Sequence, residues 1–132
     1  MQITAIPDPR NWERWDEAEA LLEPARARGD FASVLDDDEA LFVAIDDGEL
    51  LAAITAWLST EGYAEVKLIG GRDHHRWLAQ MDDMIGRLAR EAGAERLIGI
   101  GRVGWAKSLK RMGWERIGAV DDHWLFERKL KD

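Results

Sequence analysis

The stretch from Tyr63 to Trp114 constrains the fold of this chain more than any other part of it. It holds an apolar strand over Tyr63 to Ile69, a Gly70-Gly71 turn, a long amphipathic helix and a second apolar strand over Ala94 to Ile100. A short helix over Trp105 to Met112 then closes on Gly113-Trp114. Within the long helix, Trp77, Leu78, Met81, Ile85, Leu88 and Ala92 recur at spacings that mark a single face, and Gly93 supplies the C-terminal stop. Strand, helix and strand in this order require a mixed α/β domain.

The flanks extend the pattern. Gln2 to Ile6 alternates polar and apolar side chains as a half-buried strand does, and Pro7 and Pro9 end it. Asn11 is the expected cap of a helix whose inner face is Trp12, Trp15, Ala18 and Leu22, with Pro24 near its end. Arg26 to Asp30 reads as a break, followed by a short second helix around Phe31 to Leu35, and the acidic run Asp36 to Glu39 reads as a solvated loop. Ala40 to Ile45 and Glu49 to Leu58 form a hairpin about Asp46-Asp47-Gly48. Two last strands, Trp114 to Val120 and His123 to Lys129, turn at Asp121-Asp122. The expectation is one α/β domain over residues 1–132 with a mixed sheet, in the order β-α-α-β-β-β-α-β-α-β-β.

Composition removes several function classes. Eighteen Lys and Arg against 26 Asp and Glu give a formal charge of −8, which repels the phosphate backbone and disfavours nucleic-acid binding. With no cysteine there is no disulfide, thiolate nucleophile or zinc-thiolate site. No metal is expected: His74 and His75 are adjacent, so on a helix they point about 100° apart and cannot act as a ligand pair. Ser33, Ser59 and Ser108 have no triad setting. The N-terminus MQITAIPDPR lacks the basic and apolar pattern of a leader, and no apolar run approaches the roughly 20 residues that cross a bilayer. A soluble, cytoplasmic protein is expected. Seven tryptophans are many for the length and belong in the core or at an interface.

The element order resembles that of the GCN5-related N-acetyltransferase (GNAT) family across nearly the whole chain. The family's R/Q-x-x-G-x-G/A loop binds the pyrophosphate of acetyl-CoA at a helix N-terminus. Arg72-Asp73-His74-His75-Arg76-Trp77 is the matching stretch, with Arg72 at the first position and His75 and Trp77 at the two small-residue positions. Asp73 is placed to be the helix N-cap, which would occupy the donors a phosphate needs. Gly70 and Gly71, just upstream, offer close approach in a shifted loop, and Arg72 and Arg76 offer charge. Ala89 to Leu97 and Gly101 to Trp114 look like the family's later elements, although Arg102 and Leu109 stand where an Asn and the thiolate-protonating Tyr are usual.

The resemblance implies an acyl-CoA N-acyltransferase fold, with acetyl-CoA bound by Gly70, Gly71, Arg72, His75, Arg76 and Trp77. It makes Glu65, on the strand that lines the family's acetyl site, the catalytic base, with a small-molecule or protein amine as acceptor. Gly101-Arg102-Val103-Gly104-Trp105-Ala106 also looks like a subgroup of small acetyltransferase-like proteins of tailed phages and prophages. That resemblance implies an alternative: a non-catalytic, virion-associated assembly module whose partners are phage structural proteins.

Overall fold

The computed structural model describes residues 1–130 of the 132. Among these, the strands are β1 (Gln2–Ile6), β2 (Glu39–Asp46), β3 (Glu49–Leu58), β4 (Tyr63–Gly71), β5 (Arg96–Gly101), β6 (Glu115–Val120) and β7 (His123–Lys129). The helices are α1 (Trp15–Gly29), α2 (Leu78–Glu91) and α3 (Ala106–Arg111), with 3-10 turns at Pro9–Asn11, His74–Arg76 and Val103–Trp105. The strands form one mixed sheet of order β1-β2-β3-β4-β5-β7-β6. β4 and β5 run parallel, from Tyr63↔Arg96 to Val66↔Gly99, as the intervening helix requires. The chain divides into two compact units, one of Met1–Trp57 with Lys67–Met81, the other of Leu58–Val66 with the chain from Asp82 onward.

The first unit is built on the β2–β3 hairpin. Asp46 pairs with Glu49, leaving Asp47 and Gly48 as a two-residue loop with φ of 51° and 79°, the doubly positive turn that matches strand twist. Leu41 and Val43 of β2 are fully buried with Ala18 and Leu22 of α1, and Leu68 of β4 joins them.

Here three sequence expectations fail, the Asn11 cap, the break over Arg26 to Asp30 and the helix around Phe31 to Leu35. Asn11 does not cap α1; it closes the Pro9–Asn11 turn and donates from Nδ2 to Asp8 Oδ2 at 2.6 Å, while α1 begins at Trp15. α1 also runs past Pro24 to Gly29, because Pro24 and Ala20 both face solvent and water can take the Ala20 carbonyl that the proline leaves without a partner. The helix expected around Phe31 to Leu35 does not form. Five residues are too few to nucleate one, and tertiary bonds compete for the segment. Val34 and Leu35 plug the core as irregular chain, Arg10 binds the Leu35 carbonyl, and the Ser33 hydroxyl donates to Asp36 Oδ1 at 2.9 Å.

The second unit holds α2 from Asp82 onward, α3, β5, β6 and β7. Leu97, Phe126 and Trp114 are its buried centre. α3 stops at Gly113, whose φ of 90° lets Gly113 N–H reach the Lys110 carbonyl at 3.1 Å and Trp114 N–H reach Leu109 at 3.0 Å. That reversal points the Trp114 ring back into the core.

Candidate functional site

The loop between β4 and α2 is the segment that the sequence marks for an acyl donor. Gly70 and Gly71 are fixed by packing within the first unit. A Cβ on Gly70 would lie 1.9 Å from the Leu21 carbonyl oxygen of α1, and one on Gly71 would lie 2.4 Å from the Leu51 oxygen of β3. Both strand-end contacts therefore demand glycine whatever binds outside. Beyond them, Arg72 N–H donates to Leu51 at 3.0 Å and extends the β3 edge by one bond.

Trp77 closes the loop. Its ring is buried, and Nε1 donates 2.8 Å back to the Arg72 carbonyl, while the N–H groups of Arg76 and Trp77 are taken by Asp73 and His74. Asp73 does not cap this turn with its side chain. Its backbone is left-handed, φ 54°, whereas a capping residue sits in the extended region, and its carboxylate instead lies 3.5 Å from Arg76 Nη1.

Electrostatically the loop is close to neutralised. Arg72 meets Glu49 at 3.4 Å, and Arg76 pairs with Asp46. The hydrogen bond from Arg76 is the main cause that holds the Asp46 carboxyl below its ordinary value. All these groups are at the surface, where such pairs contribute about 0–1 kcal/mol. His75 is exposed beside His74, the rings 6.2 Å apart and near perpendicular.

Glu65 is half-buried on β4, in register with Ile98 of β5 in the second unit. Leu109 is half-buried on α3 and brings no acid to the position where the resemblance places a tyrosine. Tyr63 packs at the start of β4 under the Arg96 guanidinium, 5.5 Å from the ring centre.

Two ionic clusters escaped the sequence reading. Glu39 is not part of a solvated loop: its side chain is only 3 % exposed and bonds Lys67 Nζ at 3.0 Å, with Asp36 at 3.4 Å and the Phe31 ring at 4.8 Å. The Ser33 hydroxyl, then Lys67, keeps Asp36 below its ordinary value. In the second unit, Trp114 Nε1 donates to Asp82 Oδ1 at 2.8 Å and Arg128 Nη2 donates to the Asp82 carbonyl at 3.1 Å. Burial, outweighing Trp114 and Arg128, raises the Asp82 carboxyl. The weak counter-pull has a geometric cause, since Arg128 Nε lies 3.4 Å from Oδ2 and lacks a hydrogen-bond partner.

No protein-family model matches the chain, and no curated protein does. Solved structures do. The chain is similar to GCN5 from Tetrahymena, with a TM-score of 0.75 at 13 % identity, covering 98 % of this chain and 96 % of that one. It is similar to an aminoglycoside 6′-N-acetyltransferase solved with coenzyme A, at 0.79 and 11 %, covering 100 % and 98 %. An acyl-CoA N-acyltransferase from Pseudomonas aeruginosa follows at 0.67 and 14 %, covering 97 % and 99 %. Identities this low speak for the fold alone, and the chain has the mixed α/β fold of the GNAT acyl-CoA N-acyltransferases.

Proposed function

We propose that this protein is an N-acyltransferase that draws on an acyl-CoA, acetyl-CoA first among them, and acylates an amine. The observation that carries the reading is the near full-length likeness to acyltransferase structures, one of them solved with coenzyme A. Arg72 and Arg76, with Gly70, Gly71, His75 and Trp77 shaping the loop, are assigned to the donor's phosphates. The bound donor supplies an activated thioester. Glu65 is the base that accepts the proton the acceptor amine must lose, directly or through one water. Leu109 offers no proton to the departing thiolate, which takes one from solvent.

The test is thiol release from acetyl-CoA with a panel of primary amines. Glu65→Gln is expected to lower turnover by about 10²-fold. Thiol release from no acceptor would remove the reading. A second reading, a non-catalytic assembly module with phage structural partners, takes its support from the neutralised loop, where each arginine already faces a carboxylate. No helix among the described residues is long and apolar enough to cross a membrane, and a cytoplasmic location is part of the proposal.

A further inference from the structure

The charges of the second unit are unevenly spread. Residues 97–114 hold four cations, Arg102, Lys107, Lys110 and Arg111, and no carboxylate, so against −8 for the whole chain the rest carries −12. All four side chains are exposed, and among the described residues none has a carboxylate partner. Elsewhere Arg10, Arg14, Arg26, Lys67, Arg96 and Arg128 each meet one, and the cations that do not, such as Arg28, Arg87 and Arg116, are scattered singly along the sequence among carboxylates.

Lys107, Lys110 and Arg111 lie at i, i+3 and i+4, which sets them on one face of α3, while Ala106 and Leu109 are half-buried on the other. Helix polarity accounts for Lys110 and Arg111, in the last turn, but not for Lys107 or for Arg102 upstream of the helix. Val103, 52 % exposed, adds an apolar contact beside them.

From this unneutralised face we propose that α3 docks an acidic polypeptide and, on the acyltransferase reading above, that the acceptor amine is a lysine or terminal amine carried by it. Four cations with no partner attract carboxylates, repel a polycationic acceptor, and gain most when a partner desolvates them. At physiological salt charges are screened beyond about 8 Å, so a docked segment responds chiefly to the charges it touches. The net charge of −8 repels a long polyphosphate, which favours a compact acidic protein over nucleic acid.

The test compares three acceptors with acetyl-CoA as donor: a peptide with one lysine flanked by glutamates, its arginine-flanked counterpart, and benzylamine. The parent is set against Lys107→Glu/Lys110→Glu, with circular dichroism confirming that the variant is folded. The glutamate-flanked peptide should be preferred. For it alone the double reversal should raise KM by roughly tenfold at unchanged kcat, an effect that fades as salt rises. Equal use of both peptides, or a KM indifferent to the reversal, overturns the proposal.

Anisotropy of a labelled glutamate-flanked peptide separates the two readings. Binding that the reversal abolishes, without acetyl transfer to any acceptor, sinks the acyltransferase and keeps the docking face. Tighter binding to heparin or phosphatidylglycerol vesicles, with the same dependence on Lys107 and Lys110, overturns the commitment to a polypeptide.

Discussion

Asp82→Ala should be the most damaging single substitution among the polar residues of the second unit. The side chains of Asp82 and Arg128 are only 11 % and 21 % exposed, so neither charge is well solvated. Removing the carboxylate leaves the Trp114 indole N–H without its 2.8 Å acceptor, and leaves Arg128, whose Nε already lacks a hydrogen bond, facing no counter-charge. Breaking a buried pair from one side costs about 3–5 kcal/mol. That is a large share of the roughly 5–15 kcal/mol that holds a domain of this size, and it should lower the melting midpoint by about 10 °C or more.

Urea unfolding followed by circular dichroism measures the loss. Asp82→Asn keeps an acceptor at Oδ1 and should lose less, about 1–2 kcal/mol. The pH dependence has a definite sign. Because burial raises the folded carboxyl above its ordinary 3.8, the titration of Asp82 stabilises the fold most below that value, and the contribution is lost as pH rises through the raised one. The margin of the parent relative to Asp82→Asn should therefore be most favourable in acid and fall toward neutrality. A loss below about 1 kcal/mol for Asp82→Ala, or a margin that becomes more favourable as pH rises, would refute the reasoning.

Other substitutions test the loop. Gly70→Ala drives a methyl into the Leu21 carbonyl, 1.9 Å away, and should cost about 1–3 kcal/mol in urea unfolding even with no ligand present. Trp77→Phe keeps the buried ring but loses the bond to the Arg72 carbonyl, and about 1–2 kcal/mol with it, together with faster amide exchange in residues 72–77. Asp73→Gly relieves a left-handed backbone and breaks no capping bond, so the melting midpoint should hold or rise; a fall of several degrees would mean that Asp73 does cap the turn.

What the sequence disclosed follows the range of the interactions. β3 at Glu49–Leu58 and β7 at His123–Lys129 lie where an apolar run and the turn residues placed them, because those signals are local. Asn11 misled because a cap requires the chain to enter a helix at once, and here a proline-led 3-10 turn intervenes. Phe31 to Leu35 misled because a short apolar segment reads the same whether it is a helix or irregular chain pinned by distant side chains. At the loop, Gly70-Gly71 was legible as a close approach, but not as an approach to α1 and β3. The Lys67–Glu39 and Trp114–Asp82 contacts join residues 28 and 32 apart, a separation at which no periodicity pairs one charge with another.

Titration of the protein with acetyl-CoA in a calorimeter tests the central claim most directly, since every assigned residue presupposes that the donor binds. Binding should be saturable, and with a dissociation constant on the order of 10 µM, millimolar ligand adds about 2.7 kcal/mol of stability and several degrees to the melting midpoint. Arg72→Ala and Arg76→Ala should each weaken that binding. No heat and no thermal shift at millimolar acetyl-CoA would contradict it.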